Sequence, residues 1–435
     1  MPSIASKSAE TLAIRLLAQG AGVATGIVIA RTLGPGDKGL FSYVAAVLGL
    51  LLTVSSGQSA AVSYQYGRLK IASGTVLHAL RRVMVAIAAF LAIALIVASF
   101  VLHQPLLLVV AAVFPFALFN QTSLAFPLAD GNVRMQNVQN LLLTATFFAT
   151  AFVACVIFHA DLNVLFVCWI AVYAAIAIRS FYMSRRYDGP ADNVAAAVKR
   201  QLRFGIKVTL NQLVAALNYQ IDIFIVFAFL GAPALGIYTV AIGVGQMLWH
   251  LSQPLASSTF GLVCSGSFER AAELTATCVR HAFTVVGAAA LILFFAGPPL
   301  ITAIYGPRFA PAGEVLRWLL PGIVAYCSTP FFGTFLVQQV GKPGVMTLIL
   351  SVSTLSCAIV TIALIHRFGM VAGAIGTSAS YSISLAIAAV YFRRITNVPI
   401  RRLFIIDRRD VQHYVSALHG LLARVRALKA GAPAQ

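Results

Sequence analysis

Long apolar runs follow one another along almost the whole chain, each bounded by a short polar or glycine-containing break. A helix needs about 20 mostly apolar residues to cross the hydrocarbon core of a bilayer. By that measure the sequence predicts about twelve spanning helices, over 9–33, 39–65, 80–102, 105–127, 137–159, 162–183, 205–230, 234–260, 281–301, 313–338, 345–366 and 369–392. Most of the breaks are short, which suits antiparallel neighbours in a bundle. Two are longer, polar and basic, at 184–204 and 261–280. No small-residue cleavage site closes the first run, so that helix is expected to stay in the mature protein. The expected fold is an all-α polytopic membrane protein.

Composition sharpens that expectation. Over 435 residues, 60% are hydrophobic and 10% charged, whereas soluble domains carry roughly 25% charged residues. A soluble enzyme is thereby excluded. Lys and Arg number 31 against 12 Asp and Glu, a net charge of +19. No basic stripe with interleaved aromatics lies on a soluble module, so nucleic acid is not the expected partner. Retention of basic residues on the cytoplasmic side explains the excess instead. With the N-terminus inside, only Arg31, Lys38, Arg308 and Arg367 fall outside, and Arg15, Arg179, Lys207 and Arg317 fall within spans. Both termini are therefore expected in the cytoplasm. The six cysteines show no metal-ligand or redox spacing and read as small buried hydrophobes.

The stretch 184–204 separates two groups of six spans. Each group carries a similar phrase after its first helix, Leu33-Gly34-Pro35-Gly36-Asp37-Lys38-Gly39-Leu40-Phe41-Ser42 and Leu230-Gly231-Ala232-Pro233-Ala234-Leu235-Gly236-Ile237-Tyr238-Thr239. Aligned without gaps, both read Leu-Gly, four residues, Gly, aliphatic, aromatic, hydroxyl. Six spans per copy is an even number, so the copies share a topology and form a parallel repeat about an axis along the membrane normal. The expected division is a lobe at 1–183, a cytoplasmic linker at 184–204, a second lobe at 205–392 and a basic cytoplasmic tail at 393–435. In that tail, apolar residues at helical spacing between Asp410 and Lys429 predict an amphipathic helix lying on anionic lipid.

Gly34-x-Gly36-x-x-Gly39 matches the letters of a dinucleotide fingerprint. Such a motif needs a strand before it, and here spanning helices flank it, so a helix cap and tight turn explain it better. Ionisable groups within spans are costly and usually face a cavity. On the seventh span Lys207, Asn211, Asn218 and Asp222 fall within about 60° of one another at about 100° per residue. They form a polar stripe roughly 22 Å long, which must face protein or water. Arg15 and Gln19 give a fainter version on the first span, above a small-residue pair, Gly22 and Gly26, that suits close helix packing. Arg15 either lines a cavity or extends to the cytoplasmic surface. Glu314 and Arg317 share one face of the tenth span, where an i, i+3 ion pair is the simpler reading. Trp169, Trp249 and Trp318 read as packing or interface residues.

At this point a resemblance emerges, carried by IARTLGPGDKGLFSYVA (29–45), NYQIDIFIVFAFLGAPALGIYTVA (218–241), AIYGPRFAPAGEVLRWLLPG (303–322), QQVGKPG (338–344) and RFGMVAGAIGTSASY (367–381). The chain resembles Wzx-type polysaccharide flippases of the multidrug/oligosaccharidyl-lipid/polysaccharide exporter superfamily from its first span to its twelfth. The resemblance implies a V-shaped, two-lobe bundle in the bacterial inner membrane. It would move undecaprenyl-pyrophosphate-linked oligosaccharide from the cytoplasmic to the periplasmic leaflet for surface polysaccharide assembly. Besides the lipid-linked sugar and membrane lipids, it suggests polysaccharide polymerase or assembly proteins as partners, and it calls for no cofactor. Arg31 falls in the family's Arg-x-Leu-Gly turn and Asp222 in its Ile-Asp segment, though no residue set common to these transporters fixes a site.

Bare residues agree with such a role. A groove lined by Arg15, Gln19, Arg31, Lys207, Asn211, Asn218 and Arg317 would replace the water around a pyrophosphate, while Asp222 or Glu314 would couple transport to an ion. A drug or cation antiporter of the same superfamily is the alternative, and would favour acidic groups in its cavity. Peptidoglycan-precursor flippases are also similar but typically have fourteen spans. A glycan polymerase or ligase would need a large extracytoplasmic loop; the longest outer connection here is about 300–313.

Overall fold

The computed structural model describes residues 4–406, with the side chains of 4–9 and Leu12 outside that description. The expected tail helix, 410–429, lies outside the described residues. Within them the chain is helical throughout: α1 (Ile4–Leu51), α2 (Thr53–Val62), α3 (Ser73–Val101), α4 (Leu106–Ser123), α5 (Ala125–Ala129), α6 (Val133–Phe152), α7 (Leu162–Ser184), α8 (Val194–Gln246), α9 (Trp249–Ser265), α10 (Phe268–Tyr305), α11 (Ala312–Tyr326), α12 (Thr329–Thr334), α13 (Pro343–Phe368), α14 (Val371–Thr396) and α15 (Arg401–Phe404).

Ten helical runs among the described residues are long and apolar enough to cross a membrane, against the twelve expected. Two glycines account for the difference. α1 is interrupted at Gly34 (φ 84°, ψ −175°) and α8 at Gly231 (φ 77°, ψ −175°). A helix continues on either side of each, so the first and second spans form one run, and the seventh runs on into the first half of the eighth, as far as Gln246. Divided at Gly34, the first run yields two lengths that could each cross, while the stretch after Gly231 is too short alone and needs α9 to complete the eighth. Large apolar side chains cover their outer surfaces, with Phe90 and Phe100 each 71% exposed, as lipid-facing helices require.

The two long polar breaks prove largely helical. Asn193 accepts a hydrogen bond from the Ala196 N–H at 3.3 Å and caps an alanine-rich start to α8, so residues 194–204 form its first turns. Between α9 and α10 only Gly266 and Ser267 are non-helical. Helices running beyond the membrane on polar residues have the same hydropathy signature as loops.

By compactness the described chain divides into two units. One comprises the residues up to Gly245 with Ala296–Leu319 and Leu350–Ser380; the other comprises Gln246–Phe295, Leu320–Ile349 and the residues from Tyr381 on. The first has a continuous apolar core that includes Ile29, Val44, Phe114, Phe126 and Trp169. The Trp169 reading as packing holds, since its ring lies 5.2 Å from that of Phe41. In the second, Trp249, Tyr326 and Tyr381 cluster, with ring centroids 4.5 Å apart for the two tyrosines.

The segment before α8 is tied to α3. Arg81 donates to Asp188 at 3.2 Å and to Ser184 at 3.3 Å, and Thr75 accepts the Asp192 N–H at 3.0 Å. Gly74 fits against the Gly189 carbonyl, 2.4 Å from where a Cβ would stand. The Arg81 guanidinium hydrogen bond holds the Asp188 carboxyl below its ordinary value. A carboxyl lowered by folding contributes stability above its unfolded value, near 4, and loses it as pH falls through the lower folded value. Hydrogen exchange over 188–193, corrected for intrinsic rates, is therefore expected to rise below about pH 4 in the native protein. In Arg81→Ala it should already be fast at neutral pH; unchanged protection there would refute the tether.

Candidate functional site

The two glycine breaks meet. An alanine Cβ at Gly39 would lie 1.8 Å from the Ala232 carbonyl oxygen, and one at Gly236 would lie 2.0 Å from the Pro35 carbonyl oxygen. Gly39 and Gly236 occupy matching positions of the two phrases, as do Pro35 and Ala232. Ser42 and Thr239, the hydroxyl positions of both phrases, share a hydrogen bond at 3.1 Å. A contact in which residue i meets j while their counterparts meet in reverse is the mark of a local two-fold axis. The repeat phrases thus build one reciprocal junction, with only glycine thin enough to let the backbones approach.

Around this junction three cations gather. Arg31 donates to the carbonyls of Ala303 and Ile304 at 2.5 and 2.6 Å, the last carbonyls of α10, where a cation complements the helix dipole. Arg308 lies 3.5 Å from the Cβ position of Gly34, and Lys38 lies 3.9 Å from that of Gly26. Arg31 is thus a helix cap in this arrangement, while its guanidinium stays exposed. Arg308, which sequence reasoning counted only as an outer-side charge, belongs to the same cluster.

The stripe on α8 divides in two. Lys207 and Asn211 are exposed, whereas Asn218 and Asp222 are 3% exposed. Asn218 donates to the Leu350 carbonyl and to Thr354, both at 3.3 Å. Asp222 sits about 14 Å along the helix from Gly231. One of its oxygens, Oδ2, accepts the Tyr238 hydroxyl at 2.5 Å and the Thr377 hydroxyl at 2.8 Å, while Oδ1 accepts the Ile223 N–H at 2.9 Å. Gly373 admits the Tyr238 ring, whose hydroxyl is 2.9 Å from its Cβ position. Among the described residues no Lys, Arg or His forms an ion pair with Asp222. A carboxylate so deep, met by neutral donors alone, is well placed to take up and release a cation or a proton.

Tyr238 and Thr377 were missed from sequence. The repeat held a signal for the first: at the matching positions the first half has Phe41 for Tyr238 and Thr25 for Asp222. Carboxyl and hydroxyl therefore occur together in one half alone. Thr377 comes from α14, far along the chain, and no local pattern connects it to Asp222.

The other candidates lie apart from this cluster. Arg15 is exposed and donates through Nε to Asn137 on α6 at 3.1 Å, beside a Glu10–Arg134 ion pair at 2.6 Å. Gln19 is exposed on α1, as are Glu314 and Arg317 on α11.

Comparison with known proteins places this architecture. A family profile described as "Polysaccharide biosynthesis protein" matches residues 4–260. No curated protein sequence matches the chain. Among solved structures, it is similar to an inward-facing multidrug resistance MATE transporter of the MOP superfamily (TM-score 0.72, 13% identity, covering 89% of this chain and 98% of that one). It is similar also to the lipid II flippase MurJ in an inward closed conformation (TM-score 0.73, 12% identity, 91% and 88%). A third relative, at TM-score 0.62, 13% identity and 89% and 93% coverage, is a MOP superfamily transporter from Pyrococcus furiosus Vc1 whose binding pocket is described as having reverse polarity. The profile covers more than half of the chain and the likenesses run nearly end to end. This chain belongs to the polysaccharide biosynthesis protein family and has the helical membrane fold of the MOP exporters.

Proposed function

We propose that the protein flips undecaprenyl-pyrophosphate-linked oligosaccharide from the cytoplasmic to the periplasmic leaflet of the bacterial inner membrane. Six-helix lobes at 1–183 and 205–392 would alternate access, with both termini cytoplasmic, in the assembly of a surface polysaccharide. The observation that carries this reading is the divided stripe of α8. Exposed Lys207 and Asn211 offer a cation and an amide to a passing headgroup, while Asp222 is sealed away where it can respond to an ion. Arg15, Gln19, Asn218, Arg31 and Arg317 would extend the polar path, and Glu314 is a second ion-coupling candidate.

Physical chemistry favours such a path. An unpaired charge costs tens of kcal/mol to bury in hydrocarbon in the Born limit, so the pyrophosphate must exchange water for fixed donors while its polyprenyl tail stays in lipid. Outward movement of about two negative charges also follows an inside-negative potential, which supplies roughly 4–5 kcal/mol per 100 mV when the full field is crossed. The protein would act as a transporter and not as an enzyme, with polysaccharide polymerase or assembly proteins as downstream partners.

The test uses purified protein in liposomes with a labelled polyprenyl-pyrophosphate oligosaccharide on one leaflet, and an impermeant sugar-modifying reagent reporting arrival on the other. Lys207→Ala and Arg317→Ala should each slow flipping about ten- to a hundredfold, the worth of one charge-assisted hydrogen bond. Wild-type rates in both would remove the cationic path. One observation supports a second reading, a cation antiporter: Asp222, the charged residue buried among those described, is acidic. Ion-driven efflux of small cations, without flipping of any glycan tried, would decide for it.

A further inference from the structure

The first turns of α8 carry more than the start of the polar stripe. Lys199, Arg203, Lys207 and Asn211 follow one another at four-residue steps, so at about 100° per residue they form one slowly winding row, about 18 Å long. All four are exposed. Val198, Leu202, Ile206 and Leu210 step in the same way, each one residue before a member of the polar row. The two rows therefore run side by side at the same heights, about 100° apart. Leu202, Ile206 and Leu210 are 37%, 53% and 58% exposed. The remaining side of these turns is packed. Gln201 donates to the Gln58 carbonyl at 2.9 Å and accepts from Gln65 at 2.7 Å, while a Cβ at Gly205 would meet the Gln58 amide. That packing holds both rows in a fixed orientation.

Retention of basic residues at one membrane surface accounts for their number, not for this order. Other basic side chains of the same compact unit find partners: Arg81 donates to Asp188, Arg134 pairs with Glu10, and Arg185 rests 5.2 Å over the Phe181 ring. Among the described residues Lys199, Arg203 and Lys207 form no ion pair. The repeat-related positions of the first half hold Pro2, Ser6 and Glu10, so the row belongs to α8 alone. Its cations stand about 6 Å apart along the axis, within a Debye length at physiological salt, and their potentials add. A phospholipid standing beside a helix puts its phosphate at one height and its acyl chains at others. Charge and apolar surface at the same heights suit an amphiphile whose head is drawn along the helix while its tail stays in lipid. We infer that the paired rows capture the lipid-linked sugar, Lys199 and Arg203 guiding its pyrophosphate to Lys207 while the first isoprene units lie on Leu202, Ile206 and Leu210. The inference rests on the proposed function and adds to it the place where the substrate is first held.

Flipping in phosphatidylcholine liposomes, measured against the concentration of labelled polyprenyl-pyrophosphate oligosaccharide, tests the capture step. Lys199→Gln/Arg203→Gln should lower the rate at limiting glycolipid about tenfold, as loss of electrostatic steering does. Its saturated rate and unfolding temperature should stay at the wild-type values. Salt that shortens the Debye length to about 3 Å should slow wild type at limiting glycolipid and slow the double variant less. Lys199→Arg/Arg203→Lys should behave as wild type, and so should Arg394→Gln, an exposed cation on α14. Ile206→Thr should remove the wild-type preference for a long polyprenyl carrier over a short one. A glutamine variant that matches wild type at every concentration and salt, or an Ile206→Thr protein that keeps the carrier preference, would overturn the inference alone. A wild type that flips no lipid-linked glycan would remove the proposed function as well. Unlabelled phosphatidylglycerol that competes as well as unlabelled glycolipid would also overturn the inference, because the rows would then serve membrane phospholipid. So would a glutamine variant whose saturated rate falls together with its unfolding temperature, since the two side chains would then serve the fold.

Discussion

Alanine at Gly39 or at Gly236 is expected to destabilise the protein by about 1–3 kcal/mol or more, the range for forcing extra atoms into a packed contact. Either Cβ would stand about 2 Å from a backbone carbonyl oxygen, of Ala232 in one case and Pro35 in the other. Backbone cannot swing aside as a flexible side chain can, so the two turns must part. Because the contact is reciprocal, the first substitution already opens the space needed by the second. The double variant should therefore lose less than the sum of the singles. Thermal unfolding in lipid nanodiscs reads both quantities. Gly36→Ala and Gly243→Ala are the controls, since nothing lies within 4 Å of either Cβ position, and alanine at such sites is neutral or mildly stabilising. A Gly39→Ala protein that unfolds with wild type would mean that the repeat turns do not meet. In the alternating-access proposal, the same variants should also slow flipping, because the junction joins the two repeats at the outer turn.

Asp222→Asn is expected to separate transport from stability. The amide oxygen can still accept from Tyr238 and Thr377, and only the acceptor for the Ile223 N–H is lost, so unfolding should shift by about 1 kcal/mol. Removing the ionisable group should nevertheless abolish any dependence of flipping on an ion gradient and reduce its rate to a small fraction of wild type. Tyr238→Phe and Thr377→Val act in the opposite sense. Each withdraws a donor from a buried carboxylate, at a cost of about 1–3 kcal/mol, while leaving the carboxylate in place. Reconstituted flipping measured with and without a sodium or proton gradient, next to unfolding midpoints, distinguishes the two effects. If Asp222→Asn flips at the wild-type rate and keeps its response to the gradient, the carboxylate serves only to hold α8 against its neighbours.

The candidate site was partly legible before any coordinates. Lys207, Asn211, Asn218 and Asp222 fall on one face of a helix because residues three and four apart must do so, and the seventh span is helical through all four. Spacing within one helix does not say what the face meets. Lys207 and Asn211 are exposed; Asn218 and Asp222 are enclosed by residues of α13 and α14. Likewise the periodicity of the first span placed Arg15 but not Asn137, its partner on α6.

Hydropathy by itself determined the helical class and the membrane setting, because bilayer thickness imposes a length that 20 apolar residues display directly. It also exposed the repeat, since matching phrases are visible in the order of residues alone. The tertiary structure alone decided that these phrases meet each other, that Arg31 caps α10, and that Tyr238 and Thr377 converge on Asp222. Each of those contacts joins residues brought together by packing, on segments whose local sequence carries no record of the partner. Local periodicity is a property of one helix; contact depends on how several helices fill space together.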